Sequence, residues 1–257
     1  MTQMEYSFVI PAFNEEAFIE DTLGALDLVG KNEKSPYEIV VVDDGSKDQT
    51  FNKAMKYAKR NGHVKVIRYI KNAGKGYAVK TGFMGTTGEI VIFTDGDMEI
   101  EFNSISKYVE ALEDGDIAIA SKWHPNSEVS MPLTRKILSH SFNVIVRVLT
   151  GANLKDTQVG FKVMKRSAVD KIFPKLAVKR YAFDVELLSV AKLYGLKVVE
   201  MPVKMKLDAS FKAKEVWRMF VDLLGIAYRL RVLHWYQRFE PIKDGLQNLA
   251  SFVLRET

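Results

Sequence analysis

Cysteine is absent from the 257-residue chain, which excludes disulfide frameworks and thiolate metal sites and points to a reducing compartment. Histidine is scarce: His63, His124, His140 and His234 are scattered and form no metal-ligand spacing. Long apolar runs are missing too. The longest charge-free stretches, Ile137 to Val146 and Gly245 to Leu254, have ten residues each, against the roughly 18 to 20 that span a bilayer. The chain is therefore expected not to cross a membrane by itself. The opening MTQMEYSFVIP has no basic region followed by an apolar core, so no export signal is expected. Neither G-x-x-x-x-G-K-[ST] nor G-x-G-x-x-G occurs, which disfavours P-loop and dinucleotide-cofactor enzymes. No internal repeat or low-complexity segment is visible.

What is present suits one large globular domain, alone or with an appended subdomain: 47% of residues are hydrophobic and 27% charged. Short apolar runs alternate with helical stretches. Tyr6 to Ile10, Glu38 to Val42, Val64 to Tyr69, Ile90 to Thr94 and Asp116 to Ala120 read as strands. Between them lie helices, the first opened by Glu15 and Glu16 and the third carrying Ala78, Val79 and Phe83. That alternation predicts βαβ units and a mainly parallel α/β sheet. Further on, Met131 to Leu149 and Phe183 to Leu193 read as helices, Lys155 to Lys165 as a loop and strand, and Lys197 to Val203 as another strand.

The fourth run, EIVIFTDGD, stops abruptly at Asp95 and Asp97. Two carboxylates this close repel unless a cation lies between them, and a hard divalent ion is the usual answer, although Asp-Gly-Asp is also good turn chemistry. Two more features end neighbouring strands: Asp43-Asp44 after the second, and Gly74-Lys75-Gly76 after the third. A parallel sheet puts all three on one edge, where ligands bind. A glycine-bounded lysine before a helix offers backbone N–H groups and one cation to a phosphate. Together they predict a nucleotide held by an acidic residue, its diphosphate bridged by a metal.

Pro11-Ala12-Phe13-Asn14-Glu15, Val42 to Ser46 with Asp48 and Thr50, Asn72 to Gly76 and Thr94 to Asp97 resemble, in order and spacing, the family 2 glycosyltransferases of the GT-A fold. Asp156 to Lys162 (DTQVGFK) and Phe183 to Leu188 (FDVELL) resemble the branch acting on polyprenyl phosphates, the dolichyl-phosphate glucose and mannose synthases, and are more similar to the glucosyl members. The resemblance extends from about Tyr6 to Val203.

It implies roles by position. Pro11, Asn14, Glu15, Asp43, Asp44, Lys75, Asp95 and Gly96 would bind the sugar nucleotide, with Asp44 on the base and Asp95 near ribose and metal. Asp97 would ligate Mg²⁺ or Mn²⁺ across the diphosphate, joined by Asp95 and by Glu99, which stands where mannosyl members carry Gln. The family's Ser-Arg pair is Ser121-Lys122 here, a point charge replacing a guanidinium fork. Lys122, Arg135 and Gln158 would then serve the acceptor phosphate. Asp184 and Glu186 fall where the superfamily places its catalytic carboxylate. A hydroxyl acceptor needs such a base, whereas a phosphate is already ionised near neutral pH. Asp184 is the candidate, with Asp97, for catalysis.

Transfer of one hexose with inversion follows, from UDP-glucose ahead of GDP-mannose, to a polyprenyl phosphate. Transfer to a sugar hydroxyl of a lipid-linked or protein glycan is the alternative. A non-catalytic nucleotide-sugar scaffold is the non-enzyme alternative. Gln-x-x-Arg-Trp, the mark of processive synthases, is absent.

Residues 204–257 form a distinct extension beyond a catalytic domain of residues 1–203. Between 204 and 240, eight basic residues face four acidic ones, and Trp217 and Trp235 fall among them. Glu215, Arg218, Asp222, Gly225 and Arg229 make one helical stripe and apolar residues cover the rest, so the broad apolar face is expected to be buried against a partner. An anionic membrane surface on the cytosolic side fits basic residues interleaved with aromatics. Packing on the catalytic domain or on a second copy of the chain fits as well. Nucleic acid is not expected, since no binding motif accompanies the charge.

Overall fold

The β-branched run Tyr37–Asp43 is buried at every position, the pattern of a strand covered on both faces. It lies inside a seven-stranded sheet in the computed structural model, which describes residues 5–96, 105–207 and 213–238. The strands are β1 (Tyr6–Ala12), β2 (Tyr37–Asp43), β3 (Val64–Arg68), β4 (Ile90–Thr94), β5 (Ile117–Ala120), β6 (Glu128–Ser130), β7 (Phe161–Lys165), β8 (Val198–Met201) and β9 (Lys204–Lys206). The helices are α1 (Ile19–Asn32), α2 (Thr50–Ala58), α3 (Lys75–Met84), α4 (Ile105–Glu110), α5 (Leu133–Thr150), α6 (Arg166–Ile172), α7 (Phe183–Leu193), α8 (Ala213–Arg231) and α9 (Trp235–Arg238).

Sheet order is β3-β2-β1-β4-β7-β5-β8, with β6 and β9 pairing separately. All pairings are parallel except the two made by β7, which runs antiparallel between β4 and β5. Two consequences place the site. The chain winds outward from β1 through β2 to β3, then returns to put β4 on β1's other side, so a crevice opens between the ends of β1 and β4. The reversed β7 pairs Phe161 with Thr94, bringing its start, and the DTQVGF segment before it, to the same edge as Asp95.

Strand alternation divides the core into two layers. Phe8, Ile10, Ile39, Val41, Ile92, Phe161 and Val163 pack toward one face, with Leu23 and Leu26 of α1. Val9, Val91, Phe93, Ile117, Ile119 and Met164 pack toward the other, with residues of α3, α6 and α7 and with Tyr236 of α9. The strand-helix alternation read from the sequence is present, while α4, α6, β6 and β9 are shorter elements that no periodicity announced.

The apolar face of α8 is not covered as a whole. Leu223 and Ile226 are buried against Val146, Ala182 and Val185, but Trp217, Val221, Leu224 and Tyr228 are exposed. The polar stripe turns inward instead: Arg229 bonds to Glu186, while Glu215 and Arg218 line a cavity. Periodicity fixes that a helix has two faces; its neighbours decide which one is covered.

At the sheet edge away from the crevice, buried Glu38 accepts bonds from Ser7 Oγ (2.9 Å), Lys65 Nζ (2.7 Å) and the Thr87 amide (2.6 Å). Burial pushes its carboxyl up, but the hydrogen bonds from Lys65, Thr87 and Ser7 outweigh burial and hold it below the ordinary glutamate value. A depressed carboxyl contributes stability above its unfolded value, which is lost as pH falls through the folded one. Glu38→Ala is expected to lower unfolding free energy by about 3 kcal/mol at pH 7 and by less in acid, because it strands a buried hydrogen-bonding cluster. Urea titrations at both pH values measure it, and an equal loss at both would refute the ionic contribution.

Candidate active site

The crevice holds two adjoining cavities, of about 700 Å³ and about 520 Å³, each in the range of small-molecule sites. Phe13, Lys75, Asp95, Tyr181 and Glu215 line both, so these residues form the junction.

At and just behind the junction, four charged side chains are linked: Lys75, Asp95, Asp184 and Lys162. Lys75, at the start of α3, sets its ammonium 2.9 Å from Asp95 Oδ1 and 3.7 Å from Asp184 Oδ2. Asp184, buried on the first turn of α7, also receives Lys162 Nζ at 2.6 Å. Lys162 is itself buried in β7, where it donates to the Val159 carbonyl (2.8 Å) and lies over the Phe93 ring. Asp184 thus lies neither on an exposed helix face nor as an unencumbered base; it is an ion-paired group in the wall of the second cavity. Lys162 was not among the residues the sequence singled out. The signal available was strand parity: in FKVMK the odd positions serve one core layer, which sends a lysine into the other.

The 700 Å³ cavity is built on β1, β2, β4 and the loop before α3. Pro11, Glu15, Asp44, Lys75, Asp95 and Gly96 all line it, as the sequence grouped them. Asp44 is buried and accepts the amides of Ala73 (2.6 Å) and Gly74 (2.8 Å), so its carboxylate shapes the Asn72–Gly76 loop rather than capping α2, whose N-cap is Gln49. Burial pushes its carboxyl up, against the pull of those amides. Gly74 has φ 103°, and a Cβ there would lie 2.2 Å from the Lys179 carbonyl oxygen, so only glycine lets the loop pass beneath residues 177–181. Asn14 and Asp43 do not line this cavity: Asn14 is exposed and Asp43 fully buried. Asn14, at φ 58°, takes the left-handed turn after β1, where its amide bonds Ser46 and its side chain accepts from Lys47. Asp43 pairs with Arg68 at 3.1 Å. Basic Lys47, Lys71, Arg180 and Arg218 join Lys75 around the cavity, the charge an anionic ligand requires.

The 520 Å³ cavity brings together Lys122, Arg135 and Gln158, the three residues expected at the acceptor phosphate. Lys122 is mostly buried and engaged by Asp156 at 2.8 Å, while Asp156 also takes the amides of Lys122 and Gln158. Ser139, on α5 one turn beyond Arg135, lines the same space with a buried hydroxyl that has no hydrogen-bond partner among the described residues.

Of the expected metal ligands, Asp95 lies at the junction, and Asp97 and Glu99 fall outside the described residues. Among the described residues no group of three or more acidic or histidine side chains is placed to hold a metal. Gly160 shows how tightly Asp95 is seated: a Cβ there would lie 1.7 Å from Asp95 Oδ2, and the Asp95 amide donates to the Gly160 carbonyl at 3.0 Å. Glu186 lines neither cavity; it bonds the amides of Ala177 and Val178 and the side chains of Arg229 and Tyr236.

Comparison with known proteins agrees with this geometry. Residues 7–173 match the profile of glycosyl transferase family 2. The chain is 34% identical over 258 residues to the dolichyl-phosphate β-glucosyltransferase of Homo sapiens, covering 93% of this chain and 79% of that one. It is 35% identical to the Drosophila melanogaster enzyme of the same name, with 90% and 77% covered. Among solved structures, glucosyl-3-phosphoglycerate synthase from Mycobacterium tuberculosis, in complex with Mn²⁺, UDP-glucose and phosphoglyceric acid, superposes with a TM-score of 0.65 at 19% identity, covering 88% of this chain and 79% of that one. Mannosyl-3-phosphoglycerate synthase from Rubrobacter xylanophilus gives 0.67 at 18% identity, with 93% and 77% covered. These two share the GT-A α/β fold. With its switch-point crevice, its strand-end carboxylates and its relatives in agreement, the chain belongs to glycosyltransferase family 2, in the group that includes the dolichyl-phosphate glucosyl- and mannosyltransferases.

Proposed function

We propose that this glycosyltransferase moves one hexose, with inversion, from a nucleotide diphosphate sugar, UDP-glucose ahead of GDP-mannose, to a polyprenyl (dolichyl) phosphate at the cytosolic face of a membrane. The observation that carries the reading is the pair of adjoining cavities meeting at Lys75 and Asp95. The larger, ringed by basic side chains, receives the donor. The smaller, with Arg135, Ser139 and Gln158, receives the acceptor phosphate. An acceptor that arrives ionised needs no proton removed, which agrees with an Asp184 already bound to Lys162. The dolichyl-phosphate β-glucosyltransferases to which the chain is similar support the same acceptor.

Mg²⁺ or Mn²⁺ fits this chemistry. Asp95 presents hard oxygen atoms at the junction, and with Asp97 and Glu99 it would hold the ion. Such an ion offsets the charge that develops on the nucleoside diphosphate leaving group. Asp44 and Glu15 take the nucleoside end, and Lys75 faces the diphosphate.

In the same reading residues 1–203 are the catalytic unit and residues 204–257 the membrane-facing extension. The exposed stripe Trp217, Val221, Leu224, Tyr228 and Val232 supports contact with lipid, and α5, packed beside α8, adds exposed Leu133, Ile137, Val144 and Val148. Basic Lys214, Arg231 and Arg238 flank it, matching an anionic surface. Among the described residues no helix is long and apolar enough to cross a membrane.

The test is transfer by purified protein with Mn²⁺, a panel of UDP- and GDP-sugars, and polyprenyl phosphate carried in anionic vesicles. Product is expected from UDP-glucose only when the lipid phosphate is present, and none from Asp97→Ala. Donor binding without transfer to lipid phosphate, together with transfer to a glycan hydroxyl, would overturn the acceptor assignment.

A further inference from the structure

We propose that Glu186 is a positioning residue that ties the C-terminal helices to the loop roofing the donor cavity, so that the seating of α8 sets donor affinity. The inference rests on the larger cavity being the donor site.

Glu186 is fully buried on α7, two residues from Asp184, and its two oxygens serve different parts of the molecule. Oε2 accepts the amides of Ala177 (2.9 Å) and Val178 (2.8 Å). Oε1 accepts Tyr236 Oη (2.5 Å) and Arg229 (3.4 Å), from α9 and α8. Arg229 Nε in turn donates to Tyr236 Oη (3.0 Å), and the Tyr236 carbonyl accepts Tyr194 Oη (2.7 Å). One carboxylate therefore joins the loop just before α7 to α8 and α9, which lie 43 and 50 residues further along the chain.

From Ala177 and Val178 the connection to the cavity has no slack. A Cβ on Gly76 would lie 2.6 Å from the Val178 carbonyl oxygen, and the Lys179 carbonyl both crowds Gly74 and accepts the Tyr77 amide (3.3 Å). Lys80 of α3 donates to the carbonyls of Pro174 and Leu176. The next residues, Arg180 and Tyr181, line the cavity itself. Close-packed groups transmit a displacement rather than absorb it. Burial pushes the Asp222 carboxyl of α8 up, against the pull of the nearby Arg180 and Arg229 charges. The N-terminal part of α8 then supplies Glu215 and Arg218 to the same cavity.

Arg229→Met removes the cation beside Glu186 and touches neither cavity wall. A carboxylate left in that pocket without its cation takes up a proton, and a protonated carboxyl holds the Ala177 and Val178 amides less firmly. Couplings of this kind are worth roughly a factor of 2 to 30. The expected result is about a tenfold rise in donor KM with kcat within about threefold of wild type, and about tenfold faster hydrogen exchange at the Ala177 and Val178 amides. Arg229→Lys, which keeps the charge, should recover most of both. Tyr236→Phe, which preserves the ring packing, should give the same pattern more weakly and decides the matter if Arg229→Met does not fold. Faster exchange confined to α8 and α9, with the two loop amides and donor KM unchanged, would overturn the proposal; so would a rise in KM without any change at those amides. If wild-type protein binds neither UDP- nor GDP-sugars, the donor reading fails, while the exchange data still decide whether α8 and the loop are joined.

Discussion

Gly160→Ala is expected to lower kcat/KM by about three orders of magnitude while leaving the fold intact. The added methyl would lie 1.7 Å from Asp95 Oδ2 and 2.3 Å from its Cγ, distances no rearrangement of a hydrogen can relieve. The backbone cannot yield, because β4 and β7 are paired through this point and the Asp95 amide is bound to the Gly160 carbonyl. The carboxylate must swing away from Lys75 and from the place where the donor diphosphate and its ion are proposed to lie. Misplacing one group by about 1 Å costs near a hundredfold, and losing one preorganised electrostatic contact costs a hundred- to a thousandfold. Stability should fall little, since the Asp95 side chain is 28% exposed and has solvent to turn into. Steady-state kinetics beside a thermal melt separate the two effects. Activity within tenfold of wild type would show that the position of Asp95 is not critical.

That glycine also illustrates what the sequence could and could not convey. DTQVGFK was readable as a loop and strand near the site, yet nothing in seven residues says that the strand runs antiparallel. Direction is set by pairing with β4 and β5, a long-range choice, and it is the reversal of β7 that turns Gly160 toward Asp95 and Lys162 toward Asp184. By contrast β1, β2 and β4 were legible, because buried parallel strands are apolar on both faces and stop at the polar residues that make the crevice. Strand ends alone grouped Asp44, Lys75 and Asp95, the family resemblance added Pro11, Glu15 and Gly96, and all six line the larger cavity.

Residues that work through backbone were harder to read. Asn14 and Asp44 are acids or amides in a ligand-binding stretch, and a sequence gives no means to tell a group that meets ligand from one that holds a turn. Asn14 supports the turn after β1, and Asp44 holds the loop ahead of α3 while also lining the larger cavity. Glu186 raised the same ambiguity beside Asp184. Their helix positions differ by 200°, enough to send one to the cavity and the other to α8 and α9, but the direction of each depends on distant neighbours, Lys75 and Lys162 for Asp184 and Arg229 and Tyr236 for Glu186.

Lys75→Met should reduce kcat/KM by about a thousandfold, the upper range for removing one preorganised charge from a closed site. Its ammonium lies between Asp95 and Asp184, so two explanations compete. In one, Lys75 serves only to neutralise the two carboxylates. In the other, its charge also faces the donor diphosphate, as the glycine-bounded start of α3 provides. The double variant Lys75→Met/Asp184→Asn separates them, because removing one of the two carboxylates restores the local charge balance that the single change upsets. Asp184 retains Lys162 at 2.6 Å after the loss of Lys75, so the single variant should fold, and melting curves check this. If Lys75 contacts the diphosphate, the double variant stays within about tenfold of the single one, with most of the loss in donor affinity. Recovery to near wild-type activity would mean that carboxylate neutralisation is its whole role, and the phosphate contact would have to be supplied by Lys71, Arg180 or Arg218 around the same cavity.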